Sequence, residues 1–388
     1  MRWKIPSLIT RGVFTLLVLS AILLCIIEWP PRTIEIRKES KSIGAFHVVG
    51  VASELIAQDV TEDGVWASRG YDLYFKGTDQ DDFHWVSRLR MPFGTSYLGS
   101  LKTARNLLNH QEILELLVMP TGTLLAFAGG YVWRSTDIGK TFIKVADMDH
   151  FGLGQGRGVM PNGYTVDEQG HVYWGEYWKN PNREALRIFK SEDDGATWQI
   201  IHSLPAGDIS HIHAVQYDPF SKLLWVATGD DDAGCFIGYS FDGGKTFVEM
   251  GSGAQKWRAV SLLFTKEHVY WGMDGISPQY TLPRVFRWNR ATHKTEEVGT
   301  LNTKALYSAQ LDNGTLFIST YAVGGKAILW RSDNGDAWHA LDGWERERDN
   351  RFGVIRMIAD QDTLLLSIIN LQNYNGDLIM LSPTQIVN

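Results

Sequence analysis

The sequence predicts an all-β fold, a seven-bladed β-propeller, preceded by one transmembrane helix at the N-terminus. Two observations predict the propeller: a turn followed by alternating apolar residues recurs seven times, and a second turn motif recurs between these repeats. An uncharged stretch near the start of the chain predicts the helix. Apolar residues make up 44% of the 388 residues, which is enough for a large core, and 38 glycines suit many tight turns.

The seven repeats resemble the second strand of a propeller blade. They read DGVWASRG from 63, GTLLAFAGG from 122, GHVYWGEYW from 170, KLLWVATGD from 222, EHVYWGMDG from 267, GTLFISTYA from 314 and DTLLLSIIN from 362. Their starts lie 45 to 59 residues apart, close to the length of one four-stranded blade. Six or eight blades remain alternatives, because the first and fifth repeats lack the second turn motif.

The N-terminal region divides into three segments. Residues 1–11 form a short basic segment, and residues 12–29 are predicted to be a transmembrane signal anchor, since residues 12–27 carry no charge. No small-x-small cleavage site follows, which favours an uncleaved anchor over a cleaved signal peptide. Residues 30–43 are a linker that includes a candidate ring-closing strand, and residues 44–388 are the propeller.

The two ends of the propeller are expected to meet. The last repeat has room for three strands only, so residues 33–50 are the natural source of the fourth strand, which would remove an exposed sheet edge. The basic start followed by an apolar run favours a single-pass membrane protein with the propeller in the periplasm or at the cell exterior. Basic residues also follow the span, so the charge count alone does not decide the orientation.

Charge and cysteine content exclude two classes of protein. The net charge is −7 and no block of lysine or arginine occurs, so no nucleic-acid partner is expected. Cys25 lies in the apolar run, which leaves Cys235 as the one cysteine of the propeller and excludes an internal disulfide.

The second motif is Ser-x-Asp-x-Gly-x-Thr followed by an aromatic residue. It is complete at residues 135–142, 191–198 and 240–247, and a weaker copy surrounds residue 333. In such a turn the aspartate accepts hydrogen bonds from backbone N–H groups, and the glycine adopts a conformation that a side chain would penalise. We therefore expect four aspartates to be structural: Asp137, Asp193, Asp242 and Asp333.

These motifs resemble the Asp-box (BNR) repeat superfamily, which includes the sialidases, over nearly the whole chain after residue 45. The resemblance implies a propeller fold and leaves the chemistry open. The Arg-Ile-Pro triplet of sialidases is replaced here by Val118-Met119-Pro120, and their Glu-x-Arg is also absent. Sialidase activity is therefore not expected, and the chain resembles a membrane-anchored member of the superfamily without that signature.

Functional residues are expected at the face of the propeller opposite these turns, around the central funnel. There, arginine forks bind carboxylates or sulfates, and aromatic faces stack on sugar rings. The candidate ligand-binding residues are Arg157, His211, Trp257, Arg258, Asp230, Asp274, Tyr321 and Arg351. The candidate catalytic residues are Glu176, His213 and Tyr307. The alternative for the arginines is that they join neighbouring blades.

One metal site is conceivable. His211 and His213 alternate along the chain, so both side chains point the same way if a strand has begun there, and Asp230 could be a third ligand. The pattern favours the alternative, a hydrogen-bonded loop, and no cofactor other than this divalent metal is expected.

The sequence favours an extracytoplasmic, membrane-anchored propeller that binds an anionic glycan or an envelope protein at its funnel, in surface-polysaccharide processing. The first alternative is an enzyme, either a glycoside hydrolase or a polysaccharide lyase. In it an arginine neutralises a carboxylate while His213 or a tyrosine moves the proton, or Glu176 forms an acid/base or nucleophile pair with Tyr307 or Tyr321. The second is an assembly factor without a small ligand.

Overall fold

The computed structural model describes residues 30–92, 112–152, 154–322, 325–347 and 352–383. These ranges contain 33 β-strands and two short 3-10 turns. Within them, no helix has the length and apolarity needed to cross a membrane. The predicted signal anchor, residues 12–29, and the candidate Arg351 both lie outside the described residues.

The strands follow one another along the chain with short connections. They are β1 (Thr33–Ile34), β2 (Ile36–Arg37), β3 (Ser42–Ile43), β4 (Phe46–Ala52), β5 (Ile56–Thr61), β6 (Gly64–Arg69), β7 (Asp72–Gly77), β8 (Phe83–Arg88), β9 (Ile113–Val118), β10 (Leu124–Ala128), β11 (Tyr131–Ser135), β12 (Ile143–Asp147), β13 (Phe151–Gly152), β14 (Gly156–Arg157), β15 (Tyr164–Val166), β16 (Val172–Gly175), β17 (Leu186–Ser191), β18 (Gln199–Leu204), β19 (His211–Asp218), β20 (Leu223–Gly229), β21 (Phe236–Ser240), β22 (Val248–Ser252), β23 (Leu262–Phe264), β24 (His268–Gly272), β25 (Arg284–Asn289), β26 (Thr295–Thr300), β27 (Ala305–Gln310), β28 (Leu316–Thr320), β29 (Ala327–Ser332), β30 (His339–Trp344), β31 (Val354–Asp360), β32 (Thr363–Ile369) and β33 (Leu378–Pro383).

Seven antiparallel sheets form the blades, which confirms the predicted fold class and blade count. Blades 1 to 6 consist of β5–β8, β9–β12, β15–β18, β19–β22, β23–β26 and β27–β30, and blade 7 consists of β31–β33 with β4. Each predicted repeat supplies the second strand of its blade. In β10, for example, all five residues are buried, because a strand inside the sheet is covered by the neighbouring blades on both faces. This burial explains the apolar residues of the repeat.

The N-terminal strand β4 closes the ring. It pairs antiparallel with β33 from Phe46 opposite Pro383 to Ala52 opposite Leu378, so blade 7 takes its fourth strand from the start of the chain. β2 covers the outer side of β4, and β1 pairs with β8 at the outer side of blade 1. Each pairing covers a strand edge that would otherwise face solvent.

The core lies between neighbouring blades. Trp174 and Phe127 meet at 6.0 Å between blades 3 and 2, and Trp225 packs 5.9 Å from Phe264 between blades 4 and 5. Both tryptophans are fully buried. Because such large aromatic side chains carry much of the burial energy, each blade is held mainly by its two neighbours.

The three complete Ser-x-Asp turns join the third and fourth strands of blades 2, 3 and 4 with one hydrogen-bond network. In the first, Asp137 Oδ1 accepts the N–H of Thr141 at 2.9 Å, and its Oδ2 accepts the Thr141 hydroxyl at 2.6 Å. The Ser135 hydroxyl accepts the N–H of Gly139 at 3.0 Å. These bonds favour the ionised carboxylate, the Thr141 hydroxyl most, and lower the pKa of Asp137 to about 2.

The turn around Asp333 departs from this pattern. Ala337 stands where the other turns have threonine, so no hydroxyl is available, and Asp333 instead pairs with Arg331 at 2.6 Å. The Ser332 hydroxyl still accepts the N–H of Gly335 at 2.9 Å. Gly335 has a φ of +77°, and a Cβ there would lie 2.2 Å from the Tyr270 hydroxyl oxygen, so glycine is required even in the weaker copy.

Candidate functional site

Polar side chains gather at the end of the ring where first strands begin and second strands end, opposite the Ser-x-Asp turns. His211 is the first residue of β19, and Asp230 directly follows β20. We name the Asp230 cluster after its centre; its members are His211, His213, Asp230, Arg258, Asp274 and Tyr321, contributed by blades 4, 5 and 6.

Three cationic or potentially cationic groups surround Asp230. Its Oδ2 lies 2.8 Å from His211 Nε2, and its Oδ1 lies 3.6 Å from His213 Nε2 and 2.7 Å from Arg258 Nη2. Burial raises the pKa of Asp230, but hydrogen bonds from both histidines and the charge of Arg258 outweigh burial and hold the pKa well below its usual range. Asp230 is therefore a carboxylate and a poor general acid.

Arg258 connects this carboxylate to the neighbouring blades. Its Nε lies 3.0 Å from Asp274 Oδ2, and the Tyr321 hydroxyl donates to Asp274 Oδ1 at 3.1 Å. Burial, followed by the charge of Asp274, raises the pKa of Tyr321, so this phenol stays neutral. The guanidinium is thus fixed by Asp230 of blade 4 and Asp274 of blade 5. Tyr321 of blade 6 holds Asp274 in turn.

The two imidazoles are oriented by backbone carbonyls. His211 Nδ1 lies 2.8 Å from the carbonyl oxygen of Trp178, and His213 Nδ1 lies 3.2 Å from that of Ala259. The ring of Tyr177 packs over His211 with 4.4 Å between centroids. Burial, with the charges of Asp230 and Asp274, raises the pKa of Tyr177 to about 12, so its phenol stays protonated at neutral pH.

One set of residues offers a cation site. His211, His213 and Asp230 each present one ligand atom, and these atoms all lie within 4.8 Å of one another; no other such trio of His, Cys, Asp or Glu occurs among the described residues. The two histidines are buried and Asp230 is partly exposed.

A second ionic group, the Glu115 cluster, consists of Glu115, Arg157 and Arg356. Glu115 lies in the middle of β9 and is fully buried. Its Oε1 lies 2.8 Å from Arg157 Nη2 and its Oε2 lies 2.7 Å from Arg356 Nη2. Burial raises the pKa of Glu115, and the two guanidinium groups counteract that effect. The cluster joins blades 2 and 7 with the segment before blade 3. Arg157 therefore joins neighbouring blades, which was the alternative interpretation of the arginines.

The hydroxyl of Tyr307 is influenced by charges of both clusters. It is buried on β27, and burial raises its pKa, while Arg157 and Arg356 lower it and Glu115 and Asp274 raise it. Carboxylates of both clusters therefore act on the same hydroxyl.

A cavity of about 180 Å³ lies on the axis beside Tyr307. Its lining includes Gln58, Asp59, Asn162, Tyr164 and Arg356. Burial raises the pKa of Asp59 to about 6 against the lowering effect of two backbone N–H groups. Two buried atoms of the lining, Gln58 Oε1 and Asn162 Nδ2, have no hydrogen-bond partner within the described residues, so the cavity suits polar contents.

Glu176, a predicted catalytic residue, and Trp257, a predicted ligand-binding residue, each contact another side chain of the protein. Glu176 Oε2 accepts the backbone N–H of Arg187 at 2.8 Å, and its Oε1 accepts Arg187 Nε at 3.0 Å. No hydrogen bond among the described residues joins Glu176 to Tyr307 or Tyr321. Trp257 is buried and stacks on Trp271 with 5.5 Å between ring centroids, so its face is not open to a sugar.

Sequence reasoning missed four residues: Glu115, Arg356, Asp59 and Phe352. Glu115, Arg356 and Asp59 lie within first strands, and the glutamate inside the apolar run of β9 was a visible signal. Phe352 is 66% exposed and contacts the ring of Tyr321 at 5.6 Å. It precedes β31, so it lies at the mouth of the funnel.

No protein-family model matches the sequence, and no curated protein sequence matches it. Solved structures do resemble the fold. A GH74 enzyme from Niastella koreensis is 16% identical with a TM-score of 0.54, and the match covers 87% of this chain and 53% of the enzyme, so this chain spans about half of its length.

Two oligogalacturonate lyase structures also resemble this chain. One, in complex with manganese, is 8% identical with a TM-score of 0.59, and the match covers 91% of this chain and 97% of the lyase. The other, from Vibrio parahaemolyticus, is 9% identical with a TM-score of 0.59 and covers 90% of this chain and 97% of the lyase. At these identities the likeness shows the propeller fold alone.

Proposed function

We propose that this chain is a membrane-anchored, extracytoplasmic propeller of the Asp-box type that binds an anionic glycan at its funnel. The supporting observation is the Asp230 cluster, in which Arg258 is held between two carboxylates. The ring of Tyr177 packs against His211 of this cluster, and the ring of Phe352 contacts that of Tyr321. A fixed guanidinium with aromatic rings beside it suits a sugar that carries a carboxylate or sulfate.

Arg157 adds a donor for the anion. Its Nη2 bonds Glu115 and its Nε donates to the carbonyl oxygen of Val159 at 2.9 Å, while its Nη1 has no hydrogen bond within the described part of the chain. The side chain is 20% exposed. Because its partners hold the guanidinium in place, little side-chain entropy is lost when the free donor meets an anion.

The exposed ring of Phe352 provides the sharpest test of glycan binding. Phe352→Ala removes a surface ring at the funnel together with its contact to the Tyr321 ring, and it leaves the ion pairs of both clusters unchanged, so the fold is retained. Loss of stacking worth roughly 0.5–1.5 kcal/mol weakens binding by about 2- to 12-fold. The measurement is calorimetric titration with uronate-containing and neutral oligosaccharides.

The matched control is Phe241→Ala. Phe241 is 72% exposed, but it lies in a Ser-x-Asp turn at the opposite end of the ring. Binding of uronate oligosaccharides that falls with Phe352→Ala and not with Phe241→Ala supports the proposal. No binding of any anionic oligosaccharide, or equal effects of both variants, refutes it and favours the assembly-factor alternative.

A polysaccharide lyase is the second candidate. In β-elimination a base removes the proton beside the uronate carboxylate, the bond to the leaving oxygen breaks, a carbon–carbon double bond forms, and an acid protonates the leaving oxygen. Tyr177, which stays protonated at neutral pH and packs against His211, is the candidate for that acid. A glycoside hydrolase needs a protonated carboxylic acid at the bond, and Asp230, whose pKa is held well below its usual range, does not suit that role.

The lyase alternative predicts an unsaturated product. Its ultraviolet absorbance should grow during incubation with a uronate polysaccharide and should disappear with Tyr177→Phe. Binding without such a product leaves the chain as a binding protein.

Membrane anchorage is tested separately. It is supported by the uncharged stretch at residues 12–27. The full chain is expected in the membrane fraction after an alkaline wash, and a chain that begins at residue 30 in the soluble fraction. Release of the full chain by the wash contradicts the anchor.

A further inference from the structure

We infer that His211, His213 and Asp230 form a divalent-metal centre at the mouth of the funnel, with an open position that faces the glycan. The metal centre stands on the geometry of these three side chains. Only the identity of the bound anion rests on the proposed function.

The hydrogen bonds of the two imidazoles identify the free nitrogens. Both Nδ1 atoms lie against backbone carbonyl oxygens, which can only accept, so Nδ1 carries the proton in both rings. In a neutral ring the lone pair then lies on Nε2. Histidine ligands of metals commonly have this arrangement, in which the outer nitrogen donates to a carbonyl and fixes the ring.

Both Nε2 atoms face the Asp230 carboxylate, which also has lone pairs only. The separations are 2.8 Å from His211 and 3.6 Å from His213. A single cation placed among these atoms would be bound by both nitrogens and by the carboxylate. Two protons would place two imidazolium rings 5.3 Å apart beside Arg258, whereas one metal ion satisfies all three lone pairs at once.

The spacing suits a metal of the zinc class. With metal–ligand bonds of 2.0–2.1 Å, tetrahedral ligand atoms lie about 3.3 Å apart. This value falls between the 2.8 Å from His211 Nε2 to Asp230 Oδ2 and the 3.6 Å from His213 Nε2 to Asp230 Oδ1. Two imidazoles and one carboxylate leave a fourth position open, as in catalytic zinc sites. The nitrogen and oxygen donors favour Zn²⁺ over Mg²⁺ or Ca²⁺, which prefer oxygen ligands.

The neighbouring charges determine what the open position binds. Arg258 hydrogen-bonds Asp230, and Asp274 balances Arg258 from its other side at 3.0 Å. With neutral histidines, the two carboxylates and one guanidinium sum to −1, and a divalent ion changes this sum to +1. The loaded centre therefore attracts an anion, and in the proposed function that anion is the uronate carboxylate.

The test uses the full chain, purified in detergent, stripped with a chelator and reloaded. We expect about one equivalent of Zn²⁺ by elemental analysis, and a visible absorption band of tetrahedral Co²⁺ when Co²⁺ replaces it. His211→Gln removes a ligand, so the affinity should fall by at least about 100-fold, beyond the 10–100-fold caused by loss of an outer partner. Asp230→Asn keeps the side-chain volume and repeats the test if His211→Gln fails to fold.

His202→Gln is the matched control. His202 Nδ1 also lies 2.8 Å from a backbone carbonyl oxygen, that of Lys245, but His202 belongs to no trio of ligands. Loss of metal and of the Co²⁺ band in His211→Gln or Asp230→Asn, with both retained in His202→Gln, supports the centre. Absence of bound metal in the wild type, or equal binding by all variants, overturns it.

The two proposals fail separately. A chain that binds Zn²⁺ but no anionic glycan retains the metal centre and loses the proposed function. A chain that binds glycan with the same affinity before and after chelation retains the function and loses the metal centre.

Discussion

The Glu115 cluster predicts a large loss of stability when one carboxylate oxygen is replaced by an amide nitrogen. Glu115→Gln keeps the size of the side chain and removes its charge. Both guanidinium partners then stay in place, and one of them faces an amide N–H group instead of an oxygen. Arg157 and Arg356 have side-chain exposures of only 20% and 11%, so water replaces the lost bond poorly.

The magnitude follows from the burial. Breaking a buried ion pair by removal of one partner costs about 3–5 kcal/mol. Glutamine keeps one acceptor oxygen, and Arg157 is partly hydrated. We therefore expect the free energy of unfolding to fall by an amount in the lower half of this range, about 3–4 kcal/mol. A domain of roughly 350 residues has an unfolding entropy near 0.7 kcal/mol/K, so the melting temperature should fall by about 4–6 °C.

The assay is scanning calorimetry with urea unfolding on the same samples. Asp147→Asn is the control in the same blade: it breaks the exposed pair with Lys144, whose side chain is 47% exposed against 59% for Asp147, and should change stability by less than about 1 kcal/mol. A loss below about 1 kcal/mol in Glu115→Gln would show that Glu115 is protonated between its arginines, and would refute the reasoning.

Three further predictions concern titration, the turns and ring closure. The pKa of Asp59 is raised from 3.8 to about 6, so its stabilising contribution is complete below pH 3.8 and is lost as the pH rises through 6, by about 3 kcal/mol in total. Asp59→Asn should therefore gain stability relative to wild type between pH 4 and pH 7 in thermal melts, and a constant difference would contradict the shift. Asp193→Ala removes hydrogen bonds from the hydroxyl and the N–H of Thr197. It should lower the melting temperature more than Asp333→Ala, because Asp333 is bonded by Arg331 and its turn has no threonine. Equal losses would show that the bonds to Thr197 are unimportant. A chain that begins at residue 54 lacks β4 and should aggregate in size-exclusion chromatography, whereas one that begins at residue 30 should be monodisperse; a soluble, folded shorter chain would show that closure is dispensable.

The sequence alone determined the fold because its signals are local. Alternation of apolar residues describes a single strand, and seven such strands at blade-length spacing count the blades. The Ser-x-Asp turn is equally local, since Asp137 bonds a residue four positions along the chain. Such patterns need no knowledge of distant contacts.

The loop positions in the candidate site were also accessible from sequence, because chain direction in a propeller brings the starts of first strands and the ends of second strands to one face. This rule brought His211, His213, Asp230 and Arg258 to one region, and the structure shows them in contact. Whether they bind a ligand stays a prediction.

Only the tertiary structure decided which charges pair. Glu115 meets Arg356 across 241 positions of the chain, a contact that exists because β4 closes the ring and brings blade 7 near blade 2. Glu176 is bound by Arg187 and Trp257 is buried against Trp271, and nothing in the loop pattern distinguishes these residues from their exposed neighbours. Burial and partner choice depend on how blades pack around the axis, and a linear pattern of residue types does not contain that geometry.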